Sequence, residues 1–266
     1  MFDSLVTNGF QVEFLSHAKA ILGTDFPGAV AELEMALAAA TIPIEEIIAG
    51  GGGESKGTQR LRRALAAAGW VKTTFTVEKR INGVPRESQS HEVDHVRTFE
   101  DGSRIALEIE WNNKDPFYDR DLENFKRLHA DGAISVGVII TRGRSLHDGM
   151  RRLVRRFLEE RQVGDFDGLR QWGYDPTSRQ RRAIEQRTMR VKNPATFRDA
   201  FTDQFVADKF GEATTHWRKL DDRVQRGVGN PCPLLLIGLP LSAVTFTEGR
   251  AALDEVQAAG SDDGDL

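Results

Sequence analysis

The sequence predicts an α/β fold in which a central mixed β-sheet is flanked by helices. Two observations predict it. Between about residues 71 and 111, β-rich segments are separated by Asn82-Gly83 and Asp101-Gly102, and such dipeptides favour tight hairpin turns. From residue 119 onward, a helical pattern, a short apolar run and a second helical pattern follow one another, which is the order expected of helices alternating with buried strands.

The first 70 residues predict helices. Residues 29–40 are rich in Ala and Leu, and residues 54–70 place Leu61 and Leu65 on one helical face before a stop at Gly69. The segment "GGGESKGT" between them is similar to a phosphate-binding loop. It lacks the required Gly-Lys-Ser/Thr order, because Lys56 precedes Gly57, and we predict no nucleotide site there.

Three strands are predicted in the centre of the chain, over residues 72–81, 91–99 and 104–111. The third alternates most clearly. Its apolar side chains fall on one face, and Glu108 and Glu110 project from the other. The apolar set is Ile105, Leu107, Ile109 and Trp111.

Helical spacing resumes over residues 119–131, where Asp119 and Asp121 are interpreted as first-turn acids favoured by the helix dipole. Buried strands are predicted at residues 133–141 and 233–241, and a helix follows Ser145. We predict one domain over residues 1–247, with its core at about residues 71–161 and a helical and strand part continuing to residue 247. The acidic composition of residues 248–266 predicts a disordered tail.

Composition narrows the class of protein. The chain has 266 residues, 39% of them apolar and 29% charged, as is typical of a soluble globular protein. A single cysteine excludes an internal disulfide and a zinc cluster of thiolates. The N-terminus is not typical of a secretory signal, and the sequence lacks an apolar run of membrane-spanning length, so a cytoplasmic protein is expected.

The charge is unevenly distributed. The net charge is −4, yet residues 142–192 hold 13 Arg and one Lys against seven acids, and the tail from Glu248 holds six acids and one Arg. A basic face could bind phosphates. An arginine-rich, solvated helix surface is the equally open alternative.

The segment "HEVDH" at residues 91–95 matches the zinc-protease pattern H-E-x-x-H, with His91 and His95 as ligands and Glu92 as base. That pattern needs a helix, which brings the two histidines together. Here the segment lies between two hairpin turns and is β-rich. In a strand the two histidines stand about 13 Å apart, too far to share one zinc ion. We keep the protease as the weaker alternative and expect structural roles for both histidines.

The interpretation as a magnesium nuclease explains more residues of the same region. Two strands joined by a tight turn can bring Asp94 beside Glu108, and Ile109 can add its carbonyl oxygen, so that hard oxygen ligands suited to Mg²⁺ converge. Glu110 projects on the same face and could orient or deprotonate a water, or bind a second metal. The alternative is that Glu108 and Glu110 only form a solvent-facing strand surface.

The segments "SHEVDHV", "ALEIEWNNKDPFYDRDLENFKRLH", "ISVGVIITRG" and "GVGNPCPLLLIG" resemble the BglII/BstYI group of type II restriction endonucleases, in the PD-(D/E)xK superfamily. The resemblance covers roughly residues 50–240. Glu110 stands where the superfamily pattern has lysine, which is similar to the E-x-E variant of BamHI. The resemblance implies the catalytic residues Asp94, Glu108 and Glu110. Members of the superfamily often place an acid from such a helix near the metal, so Glu54, which is interpreted as opening a helix, has an auxiliary metal ligand as its alternative role. Repair or structure-specific nucleases with the same core remain an alternative function.

The resemblance further implies a homodimer that cuts double-stranded DNA at a short palindrome with Mg²⁺, for which Mn²⁺ would substitute. A DNA methyltransferase is the expected genetic partner. Base-reading groups map to Asn112 and Asn113 and to the segment around Arg142 and Arg144, where Asn can pair with adenine and Arg with guanine. Contact with phosphate is the open alternative for both arginines and the expectation for Lys114, and Gly143 would let the backbone approach DNA.

Overall fold

The computed structural model describes residues 1–49 and 56–247 of the chain. These residues form two compact units, each assembled from separate stretches of sequence. The first combines Met1–Ala40, Arg60–Arg144 and Thr215–Leu239; the second combines Thr41–Gln59, Ser145–Thr214 and the described part of Pro240–Leu266. The bounds predicted for a single domain over residues 1–247 stay a prediction.

The strands and helices alternate along the chain as expected of an α/β protein. The described strands are β1 (Gln11–Leu15), β2 (Ile42–Pro43), β3 (Trp70–Ile81), β4 (Val84–Thr98), β5 (Arg104–Glu110), β6 (Val136–Arg142), β7 (Leu234–Leu239) and β8 (Val244–Thr245). The described α-helices are α1 (Asp3–Thr7), α2 (Ala18–Thr24), α3 (Pro27–Ala38), α4 (Ile44–Ala49), α5 (Lys56–Ala67), α6 (Phe117–Ala130), α7 (Arg144–Glu160), α8 (Phe166–Gln171), α9 (Ser178–Thr188), α10 (Phe197–Phe210) and α11 (Trp217–Gln225).

A six-stranded mixed sheet forms the centre of the first unit, in the order β1-β7-β6-β5-β4-β3. Strand β4 runs antiparallel to β3 and β5, the β5-β6-β7 segment is parallel, and β1 is antiparallel to β7. The prediction of a mixed sheet flanked by helices is confirmed. In the second unit, β2 and β8 form a short parallel pair.

The N-terminal region is not wholly helical, contrary to the prediction for residues 1–70. Strand β1 pairs with β7, whose register joins Val12 to Ile237. A five-residue strand carries too weak a periodicity to be recognised alone. Its partner lies more than 200 residues later in the chain, so only the assembled sheet reveals it.

The central strands follow the predicted turns. Asn82 and Gly83 connect β3 to β4 with φ of 53° and 78°, the backbone that a two-residue hairpin turn requires and that Asn and Gly tolerate best. Strands β4 and β5 then pair from Thr98 opposite Arg104 to His95 opposite Leu107.

Helices α6 and α11 pack on this sheet through one continuous apolar cluster, in which the central residues of α6 are completely buried. The cluster is formed by Val93, Val96, Ala106, Tyr118, Leu122, Phe125, Leu128, Ile134, Ile139, Trp217, Leu220, Cys232, Leu234 and Leu236. The approach of α6 is close: a Cβ atom on Gly137 of β6 would lie 2.5 Å from Phe125 Cδ2. This packing determines where the N-terminal half of α6 lies relative to the end of β5.

The second unit is mainly helical. Helix α7 buries an apolar stripe that includes Met150, Val154 and Phe157. Helix α9 begins with a capping box in which Thr177 and Gln180 bond each other's backbone. Helix α10 begins at the cap residue Thr196, which accepts a hydrogen bond from the amide of Asp199.

Candidate active site

Strand β4 bulges at the first predicted catalytic residue. Between two regular pairs of the β3–β4 ladder, Asp94 and His95 stand opposite the single residue Lys72. A bulge of this kind bends the strand and redirects a side chain. The adjoining β4–β5 ladder ends with His95 opposite Leu107, so its next position sets Asp94 opposite Glu108. The backbone amide of Asp94 also hydrogen-bonds the Glu108 carboxyl group.

Glu108 and Glu110 are buried, with 5% and 3% of their surface exposed. The alternative that they form a solvent-facing strand surface is therefore wrong: α6 covers this face of the sheet. Burial, together with the nearby charges of Asp121 and Asp94, raises the pKa of Glu108 to about 9. Burial also raises the pKa of Glu110, and Asp121 adds to the effect.

Asp121 completes a group of four acids, which we call the acid cluster: Asp94, Glu108, Glu110 and Asp121. Asp121 is expected from the sequence to be a first-turn helix acid, and that expectation missed its position. Its side chain is buried, its pKa is raised by that burial, and it interacts directly with Glu110. The available signal was its spacing, because Asp121 lies three residues after Tyr118 and four before Phe125, on the buried stripe of α6.

Two polar side chains partly compensate the acid cluster. Asn113 Nδ2 donates to Glu110 Oε2 at 2.9 Å. The Arg120 guanidinium donates to Asp121 Oδ1 at 2.8 Å and lies 3.8 Å from Glu110 Oε1. Both partners lower the pKa of Glu110, although less than burial raises it. The Oδ2 atom of Asp121 is buried and accepts no hydrogen bond from the residues that the structure describes.

A buried hydrogen-bond chain holds the end of β5. The Tyr118 hydroxyl and Thr141 Oγ1 are 2.6 Å apart, and Thr141 Oγ1 donates to the main-chain oxygen of Glu110 at 2.7 Å. Burial raises the pKa of Tyr118, so its hydroxyl stays protonated. These hydrogen bonds link α6 and β6 to the backbone of Glu110, and in this way they fix the position of that residue.

Arg142 does not have the position predicted for a DNA-reading residue. It is 0% exposed, its Nε donates to the Trp111 carbonyl oxygen at 2.7 Å, and its Nη2 donates to the Thr215 carbonyl oxygen at 2.6 Å. A guanidinium held in the interior cannot reach a base edge without unfolding its surroundings. Its contacts instead hold the turn that follows β5.

The other predicted DNA-contact residues lie at the surface. Asn112, Asn113 and Lys114 are exposed in the turn after β5, although the Asn113 amide is engaged by Glu110. Arg144 is half-exposed and forms an ion pair with Asp221 at 2.6 Å. Gly143 serves internal packing, contrary to the role predicted for it: a Cβ there would lie 2.8 Å from the Leu239 carbonyl oxygen.

The "HEVDH" segment lies within β4, as its β-rich surroundings predicted. His95 is 3% exposed, and neither ring nitrogen has a well-formed hydrogen bond to a described residue; burial lowers its pKa. His91 lines a cavity of about 280 Å³ with Asn124 and Arg127 of α6. A strand is the wrong support for a helical zinc motif.

The described contacts do not test two of the predicted metal ligands, Ile109 and Glu54. Ile109 lies between the two glutamates of β5 and pairs with Ile140 of β6, so the role of its carbonyl oxygen stays a prediction. Glu54 lies outside the described residues.

The arginine-rich region is extensively paired. On α7, Arg151 contacts Asp203 at 3.0 Å, Arg155 forms an ion pair with Asp199, and Arg156 contacts Glu160 at 2.6 Å. The acids Asp199 and Asp203 belong to α10, beyond the window of residues 142–192 in which the basic excess was noted. These pairs favour the interpretation as a solvated helix surface over that of a phosphate-binding face.

Among the described residues, no helix combines the length and the apolar character needed to cross a membrane. A search of curated proteins finds no match. A family model described as restriction endonuclease BglII/BglIII matches residues 10–239, which include all four acids, the supporting hydrogen-bond chain and the surface turn after β5. The chain is accordingly a site-specific deoxyribonuclease that belongs to the BglII/BglIII family of restriction endonucleases.

Proposed function

We propose that this restriction endonuclease is a type II enzyme that hydrolyses double-stranded DNA at a short palindrome with Mg²⁺ as its cofactor. The observation that carries the proposal is the acid cluster, in which four carboxyl groups from β4, β5 and α6 lie together and the ionised forms of the three buried ones are disfavoured. Such a group is costly unless a cation compensates it.

The metal-binding groups that we propose are Asp94, Glu108 and the carbonyl of Ile109, with Asp121 as a further acid. All are hard oxygen donors, which suit Mg²⁺ and also Mn²⁺. The buried Asp121 Oδ2 without a donor supports the fit, since a cation would satisfy it. A bound Mg²⁺ would stabilise charge on the phosphate and make water a stronger nucleophile.

Glu110 is the proposed base that orients the attacking water and accepts its proton. A base must be ionised before the reaction, and burial opposes ionisation of Glu110. The hydrogen bond from Asn113 and the charge of Arg120 favour the ionised form. The Tyr118–Thr141 hydrogen bonds support the backbone from which this carboxylate projects.

The proposed DNA contacts are Asn112, Asn113, Lys114 and Arg144. Asn can read adenine, Arg can read guanine, and Lys meets phosphates as a point charge. Arg142 is not among them, because it is fully buried. Loss of a base contact weakens discrimination at one base pair, whereas loss of a phosphate contact weakens binding to all sequences alike.

We propose a homodimer as the working form, because two-fold protein symmetry matches a palindromic site and provides one cleavage centre for each strand. The enzyme would act in the cytoplasm, and a cognate DNA methyltransferase would protect the host's own sites. A repair or structure-specific nuclease with the same acid cluster is the second candidate. The zinc protease has no support, since its motif lies in β4.

The test is digestion of plasmid and phage DNA with Mg²⁺, with Mn²⁺ and with EDTA. Discrete fragments indicate site-specific cleavage at a defined sequence, smears indicate a nonspecific nuclease, and gel shifts without cutting indicate a binding protein. The D94A and E108A variants should lose at least about a thousandfold in cleavage rate and still shift specific DNA. Glu123→Gln is the matched control, because it removes an exposed acid of α6. Near-normal cleavage by D94A or E108A would show that the assigned site is wrong.

A further inference from the structure

Arg120 stands beside the acid cluster, at the boundary between its buried carboxyl groups and solvent. Its side chain is 51% exposed, whereas its partners Glu110 and Asp121 are 3% and 0% exposed. Its guanidinium lies 4.4 Å from the ring centroid of Phe117, a cation–π contact that limits the orientation of the arginine. A single residue therefore presents a positive charge to both the acids and the surface.

The charge balance at this position is incomplete in the protein alone. Arg120 acts on Glu108, Glu110 and Asp121, and in each case it favours the ionised carboxylate. Its pairing is strongest with Asp121, while the contact with Glu110 at 3.8 Å is at the limit of an ion pair. A divalent cation among these acids would take over their compensation and would repel the guanidinium, which can move because it is half-exposed.

We propose that Arg120 is a catalytic residue that contacts the scissile phosphate, and that it compensates the acid cluster only until the metal binds. This inference rests on the proposed nuclease function. In hydrolysis, water adds to phosphorus while the bond to the leaving sugar oxygen breaks, and negative charge grows on the non-bridging oxygens. Arg120 donates hydrogen bonds to those oxygens and transfers no proton. Its planar fork of donors matches phosphate geometry.

A purely structural Arg120 would differ from a phosphate-contacting Arg120 in the rate of cleavage. If it only neutralised Asp121, its loss would affect folding and metal binding but not the rate of cleavage at saturating metal. If it contacts phosphate, its loss slows cleavage even when metal and DNA are saturating. Under either role, removal of the competing positive charge should strengthen metal binding to the protein without DNA. The two effects of the phosphate role therefore have opposite signs, which poor folding cannot imitate.

The experiment compares R120Q, R120K and wild type, with K126Q as the matched control. Lys126 belongs to the same helix and pairs with Glu123 at the surface, so its replacement removes one positive charge away from the acid cluster. Calorimetry measures Mn²⁺ binding without DNA, and single-turnover assays measure cleavage of plasmid DNA at saturating Mg²⁺. We expect R120Q to bind Mn²⁺ roughly tenfold more tightly and to cleave about 10²–10³-fold more slowly. R120K should recover part of the rate, and K126Q should match wild type in both assays.

Cleavage by R120Q at the wild-type rate under saturating conditions would overturn the inference. If R120Q does not fold, Arg120→Met replaces it, because an unbranched apolar side chain can retain the contact with Phe117. Failure of the wild-type protein to cleave DNA at any Mg²⁺ concentration would instead disprove the proposed function, so the two failures are distinguishable.

Discussion

The acid cluster of the first unit and the arginines of α7 in the second unit use charge in opposite ways. On α7, the guanidinium groups of Arg151 and Arg156 meet carboxylates of Asp203 and Glu160 at 3.0 and 2.6 Å. In the acid cluster, Glu108, Glu110 and Asp121 are buried beside one another with Arg120 as their shared cation, and burial raises the pKa of all three. The comparison shows that a high density of charged residues is a poor guide to a functional site. Burial of several like charges with too few partners of opposite sign is a better one.

The strongest contrast between buried and exposed charge is expected at the two arginines that flank Gly143. Substitution R142A should lower the free energy of unfolding by about 2–5 kcal/mol, because the carbonyl oxygens of Trp111 and Thr215 lose a buried donor. Denaturant unfolding of the metal-free protein measures it. R144A removes a half-exposed ion pair and should cost less than about 1 kcal/mol. Equal losses would contradict the assignment of Arg142 to internal support.

A second, smaller effect tests whether Asp121 belongs to the acid cluster. Substitution D121N keeps the shape of the side chain and removes its charge. We expect Mn²⁺ affinity and the cleavage rate to fall about 10–100-fold, as is common when a group supporting a metal site is changed. Calorimetry and single-turnover cleavage measure the two quantities. E123Q, on the same helix, should change neither by more than about twofold. An unaltered D121N would reduce the site to the three acids predicted from the sequence.

The pH dependence of stability distinguishes the buried acids from exposed ones. The pKa of Glu108 in the folded protein is raised to about 9, above its ordinary value of 4.5. Between these values the folded state binds more protons than the unfolded state, so this group makes the metal-free protein less stable as pH rises from about 5 to 9. Urea unfolding in EDTA at pH 6 and pH 9 should show a smaller loss for E108Q than for wild type. A loss as large as that of wild type would contradict the raised pKa.

The smallest effect is expected on α7. Substitution R151Q breaks the exposed pair with Asp203 and should change the free energy of unfolding by less than about 1 kcal/mol. DNA affinity in Ca²⁺ and its dependence on salt should stay near the wild-type values, because a paired guanidinium contributes little to phosphate binding. A salt dependence lowered by about one unit of slope would instead show that Arg151 contacts a phosphate.

Much of the site was predictable from local pattern. The alternation of β5 predicted that Glu108 and Glu110 share a face, and the Asp101-Gly102 turn predicted that Asp94 could come beside them. Strand periodicity and turn chemistry depend on neighbouring residues only, so a single sequence reveals them. The resemblance to restriction endonucleases, carried by the same segments, agrees with the family match over residues 10–239.

Tertiary structure decided which charged side chains turn inward. Asp121 became part of the site because close packing of α6 against Gly137 brings its N-terminal half to the end of β5. Arg142 is held inside by hydrogen bonds, one of them to the carbonyl oxygen of Thr215, which lies 73 residues later in the chain. Local sequence pattern predicted strands β3 to β5, helix α6 and the three acids of the nuclease pattern, whereas it missed strand β1. The packing of α6 on the sheet and the internal contacts of Arg142 join residues that are far apart in the chain. No local pattern encodes a contact across that separation, so only the folded chain assigns it.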